Sequence, residues 1–157
     1  MLRIARRLAL GSPSDILSLP YDDRRRSRLK ARTESGCEVA ISLERGGMLR
    51  DGDLLAADSG EIVLVRAAVE IVSDATSPNP VLLLRAAYHL GNRHVPLQIE
   101  AQTLRYQHDS TLDTLLRELG LLVTSRTAAF EPERGASAGT GDNYGYGQLG
   151  FATAHKH

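Results

Sequence analysis

The chain has 157 residues, enough for one ordinary domain or two small ones. Its nineteen basic side chains balance nineteen acidic ones, which argues against a general nucleic-acid binder, because phosphate recognition needs a basic excess. Hydrophobic residues make up 42% and aromatics only 4%, with no Trp, so the core must be aliphatic. The single cysteine, Cys37, excludes an intramolecular disulfide framework and fits a reducing, cytoplasmic setting. No apolar run of about 18 residues is present to span a membrane.

The first half reads as all-β. Met1 to Leu10 carries Arg3, Arg6 and Arg7 in the manner of a targeting segment, but its apolar stretch is too short for one, and a strand is expected. Asp15 to Leu19 is a short strand. Arg24 to Thr33 alternates, placing Arg24, Arg26, Arg28, Lys30 and Arg32 on one face and Leu29 and Ala31 on the other. That basic face is either a solvated ladder that blunts a sheet edge or a docking surface for an acidic partner. Val39, Ile41 and Leu43 share a face of the next strand, after a turn at Glu34-Ser35-Gly36. Glu44 to Gly47 turns again. Asp51-Gly52-Asp53 and Asp58-Ser59-Gly60 are turns before Leu54-Leu55 and Ile62 to Val65, with the aspartates acting as turn formers rather than metal ligands. Strands this short and evenly spaced predict a small sandwich or barrel-like sheet.

The pattern changes near residue 70. Ala67 to Ser73 continues as strand, and Thr76-Ser77-Pro78-Asn79-Pro80 signals a helix start. That helix runs to about Leu90, with Gly91 as its expected C-cap. Strands follow over Val95 to Glu100 and Thr103 to His108. Ser110 or Thr111 is expected to cap a second helix, in which Leu112, Leu115, Leu116 and Leu119 recur at three and four residues. Gly120 ends it, and Leu121 to Thr124 begins a last strand. The order βαββαβ is the ferredoxin-like arrangement. The predicted fold is therefore α+β: a small all-β domain over 1–69, a ferredoxin-like domain over 70–134, and a flexible tail over 135–157. The tail is rich in Gly, Ala, Ser and Thr and ends in His155-Lys156-His157.

Of the five histidines, His94 is the prime candidate ligand, on a surface connection between a helix end and a strand start. The competing reading has it complement the helix dipole. A hairpin turn near Ala101-Gln102 pairs Leu97 with Tyr106 and Ile99 with Leu104, and that register sets Asp109 opposite His94 and His108 nominally on the other face. His89, in the last helical turn, reads as structural. With no Cys pair and no His-Glu-x-x-His helix, a closed zinc site is not expected.

The run His89-Leu90-Gly91-Asn92-Arg93-His94, followed by Pro96 and Gln98, resembles the UreE family of urease accessory proteins, nickel chaperones for the urease metal centre. Leu104-Arg105-Tyr106-Gln107-His108-Asp109, Leu112-Asp113, Leu119-Gly120-Leu121, Phe130-Glu131-Pro132-Glu133 and Leu49-Arg50-Asp51-Gly52-Asp53 agree with it. The resemblance implies a homodimer in which His94 from each chain binds one nickel ion, with copper or zinc as alternative ions. His155, His157 and His108 are the further candidate metal ligands. It also implies a partner- or peptide-binding first domain and work alongside urease apoprotein and other accessory proteins, including the accessory GTPase. Family members often carry a second histidine two residues after His108, where this chain has Ser110, and a longer histidine tail. Two other functions stand beside the carrier: a metal-dependent hydrolase, whose general base could only be Asp109, and a plain protein-binding adaptor that binds no nickel.

Overall fold

Alternation builds the first half. Leu17 and Leu19, Val39 and Ile41, Leu55 and Ala57, and Val63 and Val65 are all buried, and each pair is spaced by two. The computed structural model describes residues 1–44 and 47–134. Six strands, β1 (Leu2–Leu8), β2 (Asp15–Leu19), β3 (Arg28–Arg32), β4 (Glu38–Ser42), β5 (Leu54–Ala57) and β6 (Ile62–Ala67), form one sheet in the order β2-β6-β5-β1-β4-β3. Strands β1 and β4, and β2 and β6, run parallel; the other neighbours are antiparallel. The turns at residues 51–53 and 58–60 stand as expected. Asp53 accepts from the Arg50 amide at 2.8 Å, and Asp51 from the Ala67 amide at 2.8 Å. The turn expected at Glu44 to Gly47 includes residues 45 and 46, outside the described residues.

The basic ladder is shorter than its sequence period implies. Pro20 opens a one-turn helix, α1 (Tyr21–Arg24), so the alternation holds only from Arg28 to Arg32 on the edge strand β3. Arg24 leaves the ladder altogether and is fully buried. Its Nε donates to Leu19 O at 3.0 Å, and its other nitrogens reach Leu49 O, Phe130 O and the Glu131 carboxylate. Glu131 also pairs with Arg50 at 3.3 Å, and Tyr21 packs edge-on against Phe130. A buried guanidinium thus joins the first domain to the strand end of the second.

The second domain is ferredoxin-like. Its elements are β7 (Val69–Thr76), α2 (Pro80–Asn92), β8 (Gln98–Ile99), β9 (Thr103–Gln107), α3 (Ser110–Leu119) and β10 (Leu122–Ala129). The antiparallel sheet has the order β10-β7-β9-β8. Ala75, Leu104, Tyr106 and Val123 from the sheet pack with Ala86, Leu90 and Leu116 from the two helices. Asn79 caps α2 by accepting from the Val81 amide at 3.0 Å. The cap of α3 is Asp109, not Ser110 or Thr111: its Oδ1 accepts from Thr111 N at 2.9 Å and Leu112 N at 3.1 Å. Among the described residues no helix is long and apolar enough to cross a membrane.

Candidate metal centre

The end of α2 sets the geometry of the candidate site. The His94 amide donates to Gly91 O at 2.9 Å and the Val95 amide to Leu90 O at 3.1 Å. This double closure is a Schellman motif, which requires a left-handed residue at the position after the cap. That residue is His94, at φ 58°, the one non-glycine with positive φ among the described residues. Gly91 is not the cap: it lies inside the helix, and a Cβ added there would meet nothing within 4 Å. The second helix closes the same way, with Gly120 at φ 110° and Leu121 N donating to Leu116 O at 3.0 Å. Two helix ends with the same closure therefore carry different residues at the left-handed position. The histidine takes a conformation that costs an ordinary L-residue about 1–2 kcal/mol and glycine almost nothing.

His94 is exposed and lines an open cavity of about 340 Å³ together with Arg93, Val95, Pro96, Gln107, His108, Asp109 and Leu112. The expected register is correct at Ile99↔Leu104, but the ladder stops at Gln98↔Arg105. The loop before it is free of the strand pleat, so the face rule does not extend to His94, and His108 and Asp109 both come to the same cavity. Because Asp109 Oδ1 is engaged in capping α3, the carboxylate that lines this cavity is held by backbone amides.

His108 stands against polar groups that its sequence context did not show. Its Nδ1 lies 3.2 Å from Ser73 Oγ and 3.4 Å from Asp113 Oδ2, and both of those residues are buried. Asp113 in turn accepts from the Tyr106 hydroxyl at 2.7 Å. Burial, and then the Asp113 carboxylate, push the Tyr106 phenol well above its ordinary range. Neither Ser73 nor Asp113 stood out in the sequence; the available signal was a carboxylate on the apolar stripe of α3, three residues before Leu116. His89 is exposed and meets the Tyr88 ring edge-on at 5.5 Å. His155 and His157 lie outside the described residues. Among the described residues no group of three or more His, Cys, Asp or Glu side chains is placed to hold an ion.

A family model for the N-terminal domain of the UreE urease accessory protein matches residues 3–68, and one for its C-terminal domain matches residues 70–157. The chain belongs to the UreE family. It is 50% identical over 140 residues to the urease accessory protein UreE of Alkalilimnicola ehrlichii, covering 88% of this chain and 86% of that one. With the UreE of Teredinibacter turnerae it shares 52% over 128 residues, covering 82% and 83%. With that of Proteus mirabilis it shares 46% over 128 residues, covering 82% and 80%. The UreE match thus spans both sheets and includes the helix end that carries His94.

Proposed function

We propose that this chain is a nickel carrier in urease maturation, a cytoplasmic metallochaperone rather than an enzyme, and that it works as a homodimer. The observation that carries the reading is His94: an exposed imidazole fixed by a left-handed helix end, on a cavity shared with His108. Among the described residues of one chain these are two imidazoles and no fuller cage, which suits an ion that must be released. Imidazole accepts nickel, and equally copper or zinc, so selectivity falls to supply and to the partners. The relatives' name, urease accessory protein, supports the urease maturation machinery as the setting; urease apoprotein and the accessory GTPase are the partners proposed within it. Equilibrium nickel titration with mass measurement of the oligomer tests the reading. A tight site shared between two chains is expected; a chain that binds no nickel would leave the adaptor. The capping role of Asp109 disfavours a hydrolase, and metal binding without turnover of ester or peptide substrates would separate the two.

The dimer has a physical motive beyond the missing ligands. Val81, Leu84 and Tyr88 are exposed on the outer face of α2 at a spacing of three and four residues. This stripe runs toward His94. A second copy laid on it buries the stripe and brings a second imidazole to the first by symmetry. Sedimentation is expected to show a dimer at micromolar protein, with and without nickel; only monomer in both conditions would sink the arrangement.

His155 and His157 are spaced to reach one ion together. The Glu133 amide donates to Leu97 O at 2.8 Å, so the chain leaves the described residues close to the His94 loop. Truncation after Arg134 is expected to keep cooperative unfolding and to lower nickel stoichiometry or affinity only in part. Loss of cooperative unfolding would contradict it. The first domain is read as the partner-binding one. On its edge strand β3, Arg28 and Lys30 are exposed without an ion-pair partner among the described residues, while Arg32 pairs with Glu38 at 2.8 Å.

A further inference from the structure

We infer that Asp113 is a positioning residue for His108, holding its ring in the Nδ1–H tautomer so that Nε2 offers its lone pair to the metal cargo. This rests on the carrier reading for what is bound, but the tautomer itself is a property of the metal-free chain.

One arrangement of protons makes every contact of the network attractive. The Tyr106 hydroxyl donates to Asp113 Oδ1 at 2.7 Å. The second carboxylate oxygen, Oδ2, stands 3.4 Å from His108 Nδ1. If Nδ1 were bare, it would stand 3.4 Å from that carboxylate oxygen with no proton between them. With a proton on Nδ1 the same contact becomes attractive, and Ser73 Oγ at 3.2 Å becomes a second acceptor. The Ser73 hydroxyl also interacts with the Tyr106 phenol. A buried carboxylate is costly unless its lone pairs are satisfied, and Asp113 is only 4% exposed, so the carboxylate itself favours the donor form of the ring.

The other end of the imidazole is available. The His108 side chain is 41% exposed and lines the cavity it shares with His94. A ligating histidine commonly donates its second ring N–H to a carboxylate, which fixes the tautomer and raises ligand basicity. His94 has no such side-chain partner among the described residues; it is aimed by its backbone alone. The two histidines of the cavity are therefore prepared by different means. A neutral histidine in water prefers its proton on Nε2, so the assigned tautomer is the unusual one and can be read directly.

Long-range proton–nitrogen correlation of the imidazoles in the metal-free full chain, at mildly alkaline pH where imidazole is neutral, decides it. Nδ1–H is expected for His108 in the natural chain and in Ser73→Ala, which keeps the carboxylate, and Nε2–H is expected in Asp113→Asn. An Nε2–H ring in the natural chain overturns the proposal, and so does an unchanged tautomer in a folded Asp113→Asn. Should that variant fail to fold, the natural chain and Ser73→Ala still give the answer. Nickel titration then separates the two levels. Loss of a tight carboxylate partner lowers affinity about 10–100-fold at a ligating histidine, so Asp113→Asn should weaken the ion bound by His108 by that factor. If His108→Ala leaves nickel binding unchanged while the tautomer is Nδ1–H, the ligand reading falls and the positioning of the ring stands.

Discussion

Replacing His94 with alanine will lower affinity for the tightest nickel ion by at least tenfold, about 1.4 kcal/mol. In the proposed homodimer symmetry doubles the change: one substitution removes two imidazoles. His155 and His157 cannot restore the same geometry, and His108 stands against Asp113 of α3 and Ser73 of β7. Urease activation should fall with it while the chain still dimerises. Glycine at the same position makes the experiment sharper. The backbone there is left-handed at φ 58°, as at Gly120 after α3. Alanine keeps that strain and glycine relieves it, so His94→Gly should match or exceed the natural chain in metal-free stability, by up to about 1 kcal/mol, and still lose the ion. A variant that gains stability as it loses binding shows that the histidine is kept there for what it binds. Calorimetric titration and thermal unfolding of both variants check it. An intact tight site in either one would mean that the ion sits elsewhere.

What the sequence made legible follows from how local each signal is. Period-two alternation located most strands, and the Leu112–Leu115–Leu116–Leu119 stripe located α3, because burial of one face is written into neighbouring residues. The order βαββαβ followed from those elements. The helix ends were read less well. Gly91 has the composition of a cap, yet the chain continues as helix through it and turns left-handed at His94, a residue that tolerates that region better than most. Asp109, rather than the hydroxyl residues after it, took the cap because its carboxylate reaches two amides. The His108 support was least legible of all. Ser73, Tyr106 and Asp113 come from three elements, and only their packing puts a carboxylate against that ring. Long-range polar contacts of this kind carry no period.

Arg24 shows the same limit with the largest energetic consequence. Its alternation with Arg26 and Arg28 placed it on a solvated face, but the one-turn helix after Pro20 swings it inward until its side chain is fully buried. There it serves four oxygens: Leu19 O, Leu49 O, Phe130 O and the Glu131 carboxylate. Arg24→Met fills a comparable volume but takes the guanidinium donors from the Leu49 and Phe130 carbonyls and a cation from Glu131, while Leu19 O keeps the Ala68 amide. Glu131 is partly exposed and keeps Arg50, so the cost lies mainly in the buried carbonyls left unpaired, about 1–3 kcal/mol each, a large share of a domain's total stability. Arg24→Lys should recover little, because a single ammonium cannot span the fork of acceptors. Glu131→Gln should cost less, since Glu131 is a quarter exposed and its other pairing, with Arg50, is also partly solvated. Urea unfolding of the metal-free variants measures these differences, and a double-substitution cycle isolates the pair. A loss below about 1 kcal/mol for Arg24→Met would mean that the guanidinium is a passenger at the junction, and that apolar contacts such as Tyr21 against Phe130 hold the two domains together.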